Sequence, residues 1–228
     1  LTLGVLGGMG PAATLEFLAR VQAYTPADKD QDHIRVIADI NPQAPDRNVP
    51  GSNAGAVLAE MAGGLRGAGA EVLAMPCNTA HAHADMIQRA SGLPLIDMIS
   101  LGAEAAAQGG AMRAGVLGTR GALKLYREYL AARAMGLITL PPEQQEAFMV
   151  TLYRIKAGEL TEDVTREMQA HAETLRQAGA DVLIAGCTEV PLVLDQKDVR
   201  LELVDPADLL ARRAVAVCLG WEPAPVAP

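Results

Sequence analysis

The stretch GAEVLAMPCNT, Gly69 to Thr79, returns as GADVLIAGCTE, Gly179 to Glu189, so that Cys187 follows Cys77 by 187 − 77 = 110 residues. Two further stretches keep nearly the same interval. LGVLGGMG at Leu3–Gly10 is answered by AGVLGTRG at Ala114–Gly121, an interval of 115 − 4 = 111, and LPLIDMI around Asp97 by LELVDPA around Asp205, 205 − 97 = 108. Three matches in one order at one spacing mark an internal repeat, two copies of a single unit. Each copy carries short apolar runs: Leu3–Gly7, Ile34–Ile40 and Val72–Pro76, then Ala114–Gly118, Val182–Ala185 and Leu201–Val204. These have the length of strands buried in a parallel sheet. The Ala- and Leu-rich stretches between them are long enough for helices. Pro11 sits where a helix would begin, and Thr161 followed by Glu162 and Asp163 starts another, with acids near the positive end of the dipole. Strand and helix alternate, which predicts an α/β chain with parallel sheets. The expected architecture is two pseudo-symmetric doubly wound lobes with the active site in the cleft between them. Residues 1–98 plus 206–228 form the first lobe and 99–205 the second, with the last helix, after Asp205, packing back on the first.

Composition narrows the class. Of the 228 residues, 50% are hydrophobic and 20% charged, the reverse of a disordered chain. Lys and Arg number 19 and Asp and Glu 27, a net charge of 19 − 27 = −8. That balance argues against a nucleic-acid partner, since phosphates are held by Lys and Arg. No apolar run approaches the roughly 18 residues of a membrane span, and the glycine-broken start LTLGVLGGMGP, without a basic leader, does not read as a signal peptide. Three cysteines without a secretion signal suggest reduced thiols in a cytoplasmic protein. The stretch NPQAPDRNVPGSN (Asn41–Asn53) holds three prolines and no periodicity, and reads as a loop after a strand; the tail EPAPVAP reads as a loose terminus.

Ligands of open α/β sheets bind outside the carboxyl ends of the strands. There the sequence places Gly8-Met9-Gly10, the Asp46-Arg47 loop, Cys77-Asn78-Thr79, Thr119-Arg120 and Cys187-Thr188-Glu189. Cys77 and Cys187 hold equivalent positions in the two copies. Inverting a carbon centre without a cofactor takes a base on one face and an acid on the other, roles that two thiols can exchange. Each cysteine is expected at a helix N-terminus, which lowers thiol pKa values, with the backbone N–H groups of Asn78, Thr79, Thr188 and Glu189 available to a substrate carboxylate. Cys218, inside AVAVCLG, reads as a core residue. His81 and His83 form a weak metal pattern with Cys77, because side chains two apart on a helix diverge; they read as helix-surface or cap residues, and no metal is expected. GVLGGMG lacks the GxGxxG register and a Walker lysine, so it is not read as a nucleotide loop.

LGGMGP (Leu6–Pro11), NPQAPDR (Asn41–Arg47), MPCNTAH (Met75–His81) and AGCTEV (Ala185–Val190) together resemble the aspartate racemase family, within the cofactor-independent aspartate/glutamate racemase superfamily. The resemblance spans essentially the whole chain. It implies a two-lobed α/β fold, often dimeric, no cofactor, a small acidic amino-acid substrate, and Cys77 and Cys187 as the two acid/base thiols. It further implies that Met9 and Thr119 line the site, that Arg47 anchors a distal carboxylate, and that Lys156 is a second substrate-binding cation. The plainer readings are a loop surface charge for Arg47 and a solvated helix end for Lys156. Glutamate racemases carry an Asp-Ser pair after the first strand and a histidine after GCT. This chain has Gly7-Gly8-Met9 and Glu189, which resembles the aspartate-type branch, and its loop after Arg47 is shorter than in many relatives.

Three functions compete on this reading. The first is a racemase of an acidic amino acid, aspartate before glutamate. The second is a relative within the superfamily: a maleate isomerase, a decarboxylase of a dicarboxylic acid, or a hydantoin racemase. Two cysteines disfavour the decarboxylase, and LGGMGP and PDR fit maleate isomerases less well. The third is a non-catalytic two-lobed protein that binds a small acid, which needs no paired thiols.

Overall fold

The computed structural model describes residues 1–49 and 51–227; Pro50, inside the expected 41–53 loop, and Pro228, at the end of the tail, lie outside the described residues. In chain order the elements are β1 (Leu3–Gly7), α1 (Pro11–Tyr24), β2 (Val36–Ile40), α2 (Ala54–Gly67), β3 (Val72–Ala74), α3 (Ala84–Ser91) and α4 (Met98–Gln108). There follow β4 (Arg113–Val116), α5 (Arg120–Ala131), β5 (Gly136–Ile138), α6 (Pro142–Lys156), α7 (Glu162–Gln177), β6 (Val182–Ile184), β7 (Leu203–Val204) and α8 (Pro206–Cys218). No helix among the described residues is long and apolar enough to cross a membrane.

The chain divides into two compact units, one of Leu1–Met98 with the chain from Ala207 onward, the other of Ile99–Pro206. The sheet of the first is ordered β2-β1-β3 and that of the second β5-β4-β6-β7. Every strand pair is parallel. All five residues of β1 are buried, as a central strand covered on both faces requires. Edge strand β2, paired Leu3↔Val36 to Gly7↔Ile40, is only partly buried.

The repeat is visible down to single atoms. A Cβ on Gly4 would lie 2.7 Å from Ala70 Cβ and 2.8 Å from Leu73 Cδ2; one on Gly115 would lie 2.9 Å from Ala180 Cβ and 3.1 Å from Leu183 Cδ2. In both units a helix and a neighbouring strand pack against a bare glycine of the central strand. Leu183 of β6 pairs with Leu203 of β7, and Leu73 of β3 makes an isolated parallel bridge to Leu95 at the corresponding place.

Several local expectations meet the structure differently. Pro11 does open α1 and Thr161 is the N-cap residue of α7. The strand expected over Ile34–Ile40 begins at Val36, and the one over Val72–Pro76 ends at Ala74. β5 was not expected: it is three residues long, begins with glycine and lies at an edge, so it carries no continuous apolar run. α8 belongs to the first unit, where Tyr24 Oη donates to Asp208 and Arg212 lies over the Tyr24 ring at 4.0 Å.

Candidate active site

In the first unit the candidate residues gather past the carboxyl ends of β1, β2 and β3. Gly8 turns the chain after β1 at φ +93, and a Cβ there would fall 2.5 Å from the Asn41 carbonyl carbon, so only glycine lets the loops after β1 and β2 approach this closely. The Gly8 N–H donates to Thr14 Oγ1 at 2.9 Å, fixing the loop to α1. Met9 is 3% exposed and packs in the same core cluster as Cys77. Arg47 folds back on its own loop, Nη1 donating to the Pro45 carbonyl at 3.1 Å and the Ala44 carbonyl at 3.4 Å. Its Nε is buried with no hydrogen-bond partner among the described residues. The guanidinium also helps burial hold His83 below its ordinary pKa.

Cys77 is a free, buried thiol, and Asn78 and Thr79 beside it are buried too. The structure puts a 3-10 segment, Thr79–His83, after this cysteine, and another, Val190–Leu192, after Cys187. Neither cysteine therefore sits at an α-helix N-terminus as expected: a 3-10 turn stands between Cys77 and the start of α3 at Ala84, and the segment after Cys187 is only three residues long.

His81 also departs from its expected place on the surface. It is 6% exposed; its Nδ1 lies 2.9 Å from the Cys77 carbonyl oxygen, and its Nε2 accepts the N–H of Met98, the first residue of α4, at 3.3 Å. A ring that donates at one nitrogen and accepts at the other is neutral. Burial is the main cause holding its pKa down, with the nearby Asp97 opposing. His81 is thus a strut from the Cys77 loop to the start of α4. Its spacing from Cys77 gave no sign of this, because the partner is a backbone group far along the chain. Among the described residues no group of three His, Cys, Asp or Glu side chains could hold a metal ion.

In the second unit the loops after β4 and β6 come together. A Cβ on Gly118 would lie 3.1 Å from the Gly186 carbonyl oxygen. Thr119 caps α5, its Oγ1 accepting the Ala122 N–H at 3.2 Å. Buried Gln145 of α6 donates from Nε2 to the Gly118 carbonyl at 3.0 Å, a contact no motif signalled. Cys187 is a buried thiol, and its Sγ donates to Glu189 Oε2 at 2.9 Å. Thr188 Oγ1 donates to the same oxygen at 3.4 Å. Lys156, at the last position of α6, bonds the other oxygen, Oε1. Lys156 is therefore not a solvated helix end but the countercharge of a buried carboxylate. Cys218 is buried on α8, and burial is the main cause pushing its thiol up to about 11, as suits a core residue.

The fold and site define a class: repeated parallel α/β units, each with one buried cysteine past the carboxyl end of its third strand, β3 or β6. The chain belongs to the Asp/Glu/Hydantoin racemase family, which it matches over residues 6–214. It is 26% identical over 228 residues to the broad specificity amino-acid racemase RacX of Bacillus subtilis, covering 96% of this chain and 99% of that protein. A glutamate racemase of Synechococcus is 33% identical over 169 residues, covering 71% of this chain and 61% of that protein. The structure of Picrophilus torridus aspartate racemase superposes with a TM-score of 0.83 at 24% identity, covering 95% of this chain and 94% of that one.

Proposed function

We propose that the protein interconverts the L and D forms of an acidic amino acid, aspartate before glutamate, without pyridoxal phosphate or metal. The observation that carries this reading is the recurrence of a buried cysteine thiol past the same strand of each unit, Cys77 after β3 and Cys187 after β6. One sulfur, as thiolate, takes the proton from Cα; the other, as thiol, returns a proton to the opposite face, and the two exchange roles for the other enantiomer. The backbone N–H groups of Asn78, Thr79, Thr188 and Glu189 bind the α-carboxylate, where their partial charge offsets the charge that develops as Cα is deprotonated. Arg47 pairs with the distal carboxylate, Lys156 serves as a second cation, and Met9 and Thr119 line the pocket. The assembly that goes with this reading is a homodimer in the cytoplasm.

The decisive measurement is incubation of L- and D-aspartate and L- and D-glutamate with the protein in D2O. Deuterium at Cα with loss of optical purity is the expected result, insensitive to chelator and abolished by a thiol alkylator. Tight binding without exchange would replace the reading with a small-acid binding protein. The whole-length match to RacX favours a second reading, a broader substrate range, which the same assay resolves once neutral amino acids are added.

A further inference from the structure

Lys156, Glu189 and Cys187 form a bonded chain in the second unit, and the Glu189 carboxylate at its centre is a group the proposed reaction leaves unused. Lys156 bonds Glu189 Oε1, while Oε2 accepts from Cys187 Sγ at 2.9 Å. The Glu189 side chain is 2% exposed and that of Lys156 22%. Burying a carboxylate without a partner is costly, and the Lys156 ammonium is the countercharge that Glu189 is given. An ionised carboxylate against a sulfur accepts an S–H but repels a thiolate. In the first unit the equivalent place, 189 − 79 = 110, is held by Thr79, which carries no carboxylate.

We propose that Glu189 is the positioning residue of the Cys187 thiol. It holds the sulfur protonated in the free protein, and takes that proton when a substrate carboxylate draws Lys156 from the opposite oxygen. The S–H bond breaks, its electron pair stays on sulfur as the thiolate, and the proton forms an O–H bond at Glu189 Oε2. Negative charge moves from oxygen to sulfur and the total is unchanged. Substrate binding thereby arms Cys187 as a base. The role of the substrate rests on the racemase reading; the state of the thiol in the free protein does not.

The test is labelling of the free protein with iodoacetamide at neutral pH, each cysteine followed by peptide mass spectrometry. In Glu189→Gln, Cys187 should label about threefold faster or more, a roughly tenfold gain in thiolate discounted for the lower nucleophilicity of a weaker base. Cys77 should stay within about twofold of the parent on the same grounds. Glu189→Asp, whose carboxylate is withdrawn from the sulfur, should fall between. Unchanged labelling of Cys187 in both variants overturns the proposal; so does equal acceleration at Cys77, Cys187 and Cys218, which would report a loosened fold. In turnover, Glu189→Gln should lower kcat roughly tenfold or more with KM little changed, and a loss confined to KM overturns the proton-relay role. Labelling uses no substrate, so a wild-type protein that fails to exchange Cα protons would remove the racemase reading without deciding this result.

Discussion

The loops that carry Cys77 and Cys187 descend from one repeated pattern and end in different electrostatic surroundings. Each follows a short buried strand, and each buries its thiol among apolar side chains of its own unit. Beside Cys77 it is the backbone carbonyl that is engaged, by the His81 ring, which is tied in turn to the Met98 N–H. Around Cys187 the sulfur itself is engaged, by a carboxylate paired with a lysine. A duplicated backbone thus keeps the position of a reactive atom while its neighbours diverge. Position is set by strand register and glycine-mediated packing, whereas protonation is set by whichever side chain lies a few ångströms away. In the proposed reaction the two thiols hold opposite protonation states in one turnover, which gives them reason to differ in this way.

The largest expected effect breaks the pair itself. Cys77→Ser and Cys187→Ser should each lower interconversion by roughly a thousandfold or more, since serine is far too weak an acid to replace a thiol in proton transfer. Enantiomers are equal in free energy in water, so kcat/KM must match in the two directions for any variant. The difference between the cysteines should therefore appear in isotope exchange without inversion, for the L substrate in one variant and the D substrate in the other. Interconversion near the parent rate in either variant would exclude the two-base mechanism. Cys218→Ser should leave both activities near the parent.

Arg47→Ala should reduce turnover of aspartate by roughly tenfold to a hundredfold more than that of a neutral amino acid, as expected for a charge-assisted guanidinium–carboxylate pair. Equal losses on both would mean that Arg47, bonded to the carbonyls of Ala44 and Pro45, serves its loop and not the ligand.

Stability comparisons are smaller and sharper. Gly4→Ala and Gly115→Ala should each destabilise by about 1–3 kcal/mol, because the new methyl overlaps a packed strand and helix in both units. Gly4→Ala should cost more, its gaps being the narrower: 2.7 and 2.8 Å against 2.9, 3.0 and 3.1 Å. Denaturant titration would expose any reversal of that order.

The smallest effect separates the loops by pH. His81 is held below its ordinary value of 6.5 in the folded protein, so the unfolded chain binds the proton more readily. Its contribution to stability is complete above 6.5 and is lost as pH falls below it. His83 and His171 are shifted the same way and act in the same window. Replacing His81 by Asn should therefore flatten, not abolish, the fall in Tm on acidification. Pro191 occupies the equivalent place in the other loop, 191 − 81 = 110, so no titration of that kind can come from there. An unchanged slope in His81→Asn would assign the whole effect to His83 and His171.

Much of this was legible along the chain. Apolar runs, intervening helix signals and the 110-residue interval determine two parallel α/β units, because burial on both faces of a strand demands continuous apolar residues and duplication preserves them. The same interval picks out Cys77 and Cys187, and the motifs around them carry the family. What tertiary structure decided lies in contacts between residues far apart in sequence. β5 forms by pairing with β4 and not by its own pattern. His81 is buried with its ring bonded to the Met98 N–H, 17 residues further along the chain. The sequence offers Lys156 as a substrate-binding cation or a solvated helix end and Glu189 as a backbone N–H donor; that the two side chains pair across 33 residues, with the carboxylate on the Cys187 sulfur, comes from the fold. Periodicity reports which face of an element is buried, but the charge state of a thiol depends on distances of about 3 Å between side chains, and only the folded chain sets those.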